Sequence, residues 1–246
     1  TTVVTNIDLD HMETYGGDPQ VLEDNFVVFV KRLPFYGLLV CCIDDPRVQS
    51  CLPRFGRPVI TYGFSENASV RCVHWQQNGL QSQVRITRPD LPDLEFVLNV
   101  PGRHNVLNAM AAATVASEEG VADSVIIDTL KSFQGVNRRF STYDIQIQNK
   151  VCTLVDDYGH HPQEIDAVVK AARLAWPERR LVMVFQPHRY SRTRDLYEDF
   201  VQVLSGLDHL LVLKEFTAGE KPIVKADGKS ICASLRALGH EPTYVR

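Results

Sequence analysis

The chain has 246 residues, 44% of them hydrophobic and 23% charged, and its 26 Lys and Arg against 30 Asp and Glu leave a net charge of −4. That balance gives no broad basic face for nucleic acid, and no apolar run approaches the roughly 18 to 20 residues of a membrane span. Six cysteines without a CxxC pair signal neither a disulfide framework nor a zinc knuckle, and no signal-peptide pattern opens the chain, so the expectation is a soluble cytoplasmic protein, monomer or homodimer.

Val3 to Ile7 reads as a short β-branched strand running into a polar cluster, Asn6, Asp8, Asp10 and His11. DPQVLEDNFVVFVKRL spaces Val21, Leu22, Phe26 and Phe29 at helical intervals, which predicts an amphipathic helix. GLLVCCIDD predicts a buried strand followed by a turn, and RPVITYGF predicts another strand. From Ala68 to Val100 the pattern changes to three short alternating strands, VRCVHW, SQVRIT and LEFVLNV, separated by Gly and Pro signals. PGRHNVLNAMAAATVASEEG predicts an alanine-rich helix closed by Gly120. A further helix covers 122–133. QGVNRRF then marks a boundary, dividing the chain into domains 1–137 and 138–246.

Beyond the boundary, strands (KVCTLV, RRLVMVF, HLLVLKEF, PTYV) alternate with helices (PQEIDAVVKAARLAW, RDLYEDFVQVLSG, GKSICASLRALG). Strict alternation predicts a parallel sheet covered on both faces. The chain begins within one strand and stops within another, so the expectation is the interior of a longer polypeptide.

Ligands of open α/β sheets bind beyond the carboxyl ends of the strands. Three post-strand loops concentrate the polar residues there: DDYGHHP, QPHRYSRTR and TAGEKP. Arg189, Arg192 and Arg194 precede a helix start, where guanidinium groups and backbone donors suit a carboxylate or phosphate; read structurally, they are a solvated basic loop. Of the adjacent His160 and His161, one is expected to satisfy the structure and the other to enter a cleft. A zinc site there needs Asp156, Asp157 or His188 as companions and is not favoured. Asn105 and Asn108 lie on one helix face, as a nucleobase edge requires, although helix capping explains one of them. Arg138 and Arg139 either close a phosphate site or carry solvated linker charge.

TNIDLDHMETYGGD, PGRHNVLNA, FQGVNRRF, DDYGHHP and FQPHRYSRTRDL, in this order and spacing, closely resemble the Mur ligase family over essentially the whole chain. The resemblance is strongest to the member that adds the first amino acid in peptidoglycan synthesis. It implies an α/β chain: a partial central ATPase domain, with a mixed sheet, helices and a small antiparallel sheet, then a Rossmann-like parallel-sheet C-terminal domain. It also implies ATP and Mg²⁺ as cofactors, and UDP-N-acetylmuramate and L-alanine as substrates joined through an acyl phosphate. By the same resemblance His11 is a Mg²⁺ ligand, Asn105 and Asn108 are adenine contacts, Arg139 is a phosphate contact, and Asp157 is a ribose or nucleotide contact. Tyr158 and His160 lie beside the incoming alanine, and Arg189 and Arg192 take its carboxylate; His160, Arg192 and Arg139 are the catalytic set. Closure about GVNRRF is expected to assemble the reaction centre. The family's GxxGK[ST] phosphate loop is absent from these 246 residues, so the chain alone is expected to be inactive. Rival readings are a ligase that recycles a ready-made tripeptide, a non-catalytic Rossmann-like binding module, and a metal hydrolase using the histidine pair.

Overall fold

The computed structural model describes every residue except His11. It divides the chain into two compact units, Thr1–Gln134 and Gly135–Arg246.

The first unit contains, in order, β1 (Thr2–Val4), α1 (Pro19–Lys31), β2 (Leu39–Cys42), α2 (Pro46–Phe55), β3 (Val59–Gly63), β4 (Val70–Asn78), β5 (Gln81–Arg88), β6 (Leu91–Leu98), α3 (Arg103–Glu118) and α4 (Asp123–Ser132). Its six strands form one sheet in sequence order. β1 to β4 pair in parallel and β4 to β6 antiparallel. The antiparallel strands join the parallel ones where Tyr62 and Gly63 pair with Val70 and Arg71. Successive strand residues face opposite sides. Leu39 and Cys41 pack with Val27, Val30, Val48 and Phe55 on the α1/α2 side, while Val40 and Cys42 pack with Val106 and Met110 on the α3 side.

Helix α2 was expected as a turn. Asp45 caps it by accepting the Val48 N–H at 2.8 Å, Pro46 takes the first turn, and Val48, Cys51 and Phe55 are buried. Pro53, which argues against a helix, lies in its last turn.

Arg88 is the most heavily bonded cation of this unit's described residues, with its side chain only 2% exposed. Nε and Nη2 donate to Pro92 O at 3.0 and 2.7 Å, and Nη1 donates to Ser117 Oγ at 3.1 Å. A bidentate pair to Asp123, at 2.8 and 2.7 Å, completes the set. The β5–β6 turn is thus fastened to the end of α3 and the start of α4. The hydrogen bond from Arg88 holds the Asp123 carboxyl below its ordinary value.

The second unit contains β7 (Ser141–Ile147), β8 (Lys150–Asp156), α5 (Pro162–Ala175), β9 (Val182–Phe185), α6 (Tyr190–Asp195), α7 (Tyr197–Ser205), β10 (His209–Leu213), α8 (Gly228–Ala237) and β11 (Thr243–Val245). β9, β10 and β11 form a parallel sheet in the order β11-β10-β9. The KVCTLV strand departs from the expected alternation: as β8 it pairs antiparallel with β7, a strand that the sequence analysis does not assign. Gln148 and Asn149 turn this hairpin with φ of 46° and 64°, the left-handed pair that matches strand twist. The expected single helix over RDLYEDFVQVLSG starts earlier, at Tyr190, and breaks at Leu196.

The core of this unit joins Ile165, Phe185, Phe200, Leu204, Val212 and Ile231. Only one face of β9 is covered here: Phe185 is 5% exposed, whereas Val182 and Val184 are 45% and 61% exposed. No helix among the described residues is long and apolar enough to cross a membrane.

Replacing Arg88 with Ala removes charged hydrogen bonds from a buried position but leaves Asp123 in reach of water. The expected loss is about 2 kcal/mol for the first unit, measured as a lowered denaturant midpoint; an unchanged midpoint would remove Arg88 as a fastening point.

Candidate functional site

In the first unit, chemistry collects where β2, β3 and α3 meet. Asp44, just beyond β2, accepts the Phe64 N–H at 3.0 Å and the Ser65 N–H at 2.9 Å. It also pairs with Arg103, whose guanidinium carbon lies 4.2 Å above the Phe64 ring centroid. Gly63 makes this possible, since a Cβ there would sit 2.3 Å from Asp44 Oδ1. Asp44, Phe64 and Arg103 were not singled out in the sequence, because nothing in their spacing joins residues from three elements.

Asn105 and Asn108 share α3 but not a role. Asn105 Nδ2 donates back to Pro101 O at 2.7 Å, which is not the expected cap, since Gly102 holds the N-cap position without a side-chain bond; Asn108 is exposed. These 246 residues contain no GxxGK[ST] segment. His11 lies outside the described residues. Among those residues no group of three or more His, Cys, Asp or Glu side chains is placed to hold a metal ion.

In the second unit, two carboxylates hold the loop after β8. Asp157 Oδ1 accepts the Gly159 N–H at 2.7 Å, and Oδ2 accepts the Phe140 N–H at 2.8 Å. Glu164 Oε2 accepts the N–H groups of His160 and His161 at 3.0 and 3.2 Å, while Oε1 accepts from Arg139 Nη1 at 3.2 Å. Burial draws the Glu164 carboxyl upward, but these amide bonds and the cations beside it outweigh that and hold it below the ordinary value. Phe140 is buried and stacked on Trp176 at 6.1 Å, which anchors the stretch carrying Arg139.

The histidine pair divides between structure and surface. His161 is 6% exposed and caps α5, its Nδ1 receiving the Gln163 N–H at 3.4 Å. His160 is part-exposed, and its Nδ1 lies 2.9 Å from Tyr158 O. A carbonyl can only accept, so Nδ1 carries the proton and, in the neutral ring, Nε2 carries the lone pair.

The loops after β8, β9 and β10 converge. The His160 ring lies 5.2 Å from Tyr158 and 5.7 Å from His188, and His188 stacks on Phe216 at 5.2 Å. Backbone bonds from Arg189 N to Phe216 O at 2.9 Å and from Phe216 N to Pro187 O at 2.8 Å fix this row. Arg189, with φ of 69°, and Arg192 both belong to this cluster, but Arg192 is only 8% exposed. Its Nη1 reaches His188 Nδ1 at 3.3 Å. A guanidinium has no acceptor, so His188 Nδ1 accepts and its Nε2 bears the proton. The two imidazoles thus carry opposite tautomers.

The start of α6 departs from expectation. Its backbone donors, predicted to be open to an anion, are engaged by Glu220, which accepts from Ser191 N at 3.0 Å and Ser191 Oγ at 2.7 Å. An incoming carboxylate is left with the arginine side chains rather than the helix end. Burial raises the Glu220 carboxyl, but the Ser191 bonds prevail and lower it overall. Of the proposed site residues, Arg139, Asp157, Tyr158, His160, Arg189 and Arg192 lie in this connected network; Asn105 and Asn108 belong to the other unit.

Burial, then the neighbouring Arg192, His160 and Arg189, hold the His188 ring below its ordinary value, against an opposing pull from Glu220. His188 is expected to titrate below the usual histidine value of about 6.5, by ring-resolved NMR. Its depressed folded value means its contribution to stability is full above that pH and is lost as pH falls through the folded value. Arg192→Gln should move the midpoint upward, part of the way back, since burial remains; no movement would break the assigned pairing.

Two family models match the chain: Mur ligase middle domain over residues 1–116, and Mur ligase, glutamate ligase domain over residues 138–246. Among solved structures, the UDP-N-acetylmuramate-alanine ligase MurC of Thermotoga maritima is 26% identical, with a TM-score of 0.76 over 99% of this chain and 50% of that one. MurF of Acinetobacter baumannii (18% identity, TM-score 0.66, 98% of this chain and 55% of that one) has the same fold. So has the murein peptide ligase of Psychrobacter arcticus (17%, 0.62, 99% and 49%). The chain spans about half the length of each of these structures. With the six-stranded mixed sheet in one unit and the parallel sheet in the other, the chain belongs to the Mur ligase family as its middle and C-terminal domains.

Proposed function

We propose that the chain is the nucleotide-binding and amino-acid-binding part of an ATP-dependent ligase that joins L-alanine to UDP-N-acetylmuramate in peptidoglycan synthesis, in the cytoplasm. The observation that carries this reading is the convergence of His160, His188, Arg189 and Arg192 at the carboxyl ends of the strands of the second unit. Identity of 26% to the alanine-adding enzyme of Thermotoga maritima, against 17% to the murein peptide ligase, favours L-alanine over a ready-made tripeptide.

Bound ATP with Mg²⁺ supplies activation of the sugar's carboxylate as an acyl phosphate, which an amine can attack with release of phosphate. Asn108 is the residue of this chain that best fits the adenine, and His11 is proposed as a metal ligand. Arg139 is proposed to face phosphate and Asp157 the nucleotide, although both of the Asp157 oxygens already hold backbone amides.

The alanine end follows from the residues present. Arg189 takes the amino acid's carboxylate as a charged, forked donor. Arg192, pinned to His188, keeps that imidazole neutral and its Nε2 proton available for donation. His160 offers the opposite function: only a neutral amine attacks, and the Nε2 lone pair accepts its proton or orients it. Tyr158, edge-on to His160 and under Arg138 at 4.8 Å, keeps the ring from swinging away.

The full-length gene product should release phosphate in a manner dependent on L-alanine and UDP-N-acetylmuramate, and not on a preformed tripeptide. Arg189→Ala should raise KM for L-alanine about 10- to 100-fold, the worth of a charged hydrogen bond, with KM for ATP unchanged. Arg192→Ala should do the same less directly, through His188. Equal effects on both substrates, or preference for the tripeptide, would contradict this reading.

A further inference from the structure

Phe216 has no part in the mechanism above, yet it is bonded through its backbone to Arg189 and stacked on His188. Its ring is 53% exposed and belongs to neither the core of the second unit nor any cluster packed on it. Exposed aromatic rings on mobile loops are unremarkable, but this backbone is clamped. The Phe216 N–H donates to Pro187 O at 2.8 Å, its carbonyl accepts the Arg189 N–H at 2.9 Å, and an isolated parallel bridge pairs it with His188. One side of the ring lies against His188 at 5.2 Å with planes 28° apart. The fold therefore presents a rigid apolar wall directly bonded to the residue that takes the carboxylate.

A bound α-amino acid has three groups to place. Its carboxylate goes to Arg189, its amine must face His160 to be deprotonated, and its side chain is left with the aromatic row that ends in Phe216. An aromatic wall suits an aliphatic group, and a wall with a clamped backbone limits its size.

We propose that Phe216 is a specificity-determining residue of this subsite, its ring with His188 restricting the substrate to L-amino acids with a side chain about the size of a methyl group. This rests on the ligase reading above and adds the element that chooses among amino acids.

The test measures phosphate release by the full-length gene product with glycine, L-alanine and L-2-aminobutyrate, for wild type, Phe216→Ala, Phe216→Trp and Phe216→Tyr. One methylene in an apolar pocket is worth roughly 10- to 200-fold in discrimination. Phe216→Ala should therefore raise the kcat/KM of L-2-aminobutyrate relative to L-alanine by about tenfold or more, with KM for ATP unchanged. Phe216→Trp should shift preference toward glycine, and Phe216→Tyr, which keeps the ring, should retain the wild-type ratios. Should Phe216→Ala fail to fold by circular dichroism, the Trp variant decides alone. Unchanged ratios in the Ala and Trp variants would overturn the role of Phe216 and leave the ligase reading standing. A wild type without L-alanine-dependent release would overturn the ligase reading and this inference together.

Discussion

The second unit depends on two carboxylates that hold backbone rather than ligand. Asp157 and Glu164 between them take four amide N–H groups, from Phe140, Gly159, His160 and His161. A charge-assisted bond of this kind is roughly twice as strong as a neutral one, and three within one short loop, with a fourth tying it to Phe140, leave it little freedom. Gly159 is part of the device, because a Cβ there would come within 2.9 Å of Asp157 Oδ1. The consequence is positional: His161 is drawn into the cap of α5, and His160 is directed toward Tyr158 and His188. A site built on such a loop is already organised before any ligand arrives.

The loops after β9 and β10 obey the same logic. Glu220 occupies the donors at the start of α6, and Phe216 is bonded on both sides to the stretch that carries His188 and Arg189. Charges that a sequence reading would offer to a substrate are in part used internally. Arg192 shows this most clearly: it is buried, and its Nη1 contacts the His188 imidazole. The cations that remain for a carboxylate are fewer than the run of arginines suggests, and their directions are better defined.

Much of the fold was legible because it rests on local chemistry. Period-two alternation gave β4, β5 and β6; Pro162 and Gly120 gave the start of α5 and the end of α3. Helix α2 stands where only a turn was expected, although Asp45 followed by Pro46 is a helix-start signal and a proline in the last turn removes little. Strand β7 was not assigned from the sequence, yet Tyr143, Ile145 and Ile147 alternate and Asn149 marks the turn. The choice between His160 and His161 was also within reach: His161 followed three residues later by Glu164 is a capping-box spacing. Burial of Arg192, occupation of the α6 start by Glu220, and the position of Phe216 depend on contacts between loops remote in sequence. No periodicity reports those.

The central claim is that the amino acid binds where the three post-strand loops of the second unit meet. Its most direct test is NMR of ring-labelled histidines in the full-length protein, loaded with a non-hydrolysable ATP analogue and UDP-N-acetylmuramate and titrated with L-alanine. The account predicts saturable shifts at His160 and His188, with His161, buried in its cap, nearly still. Saturation with shifts confined to His74, His104 or His240, and none at His160 or His188, would place the amino acid elsewhere and contradict it.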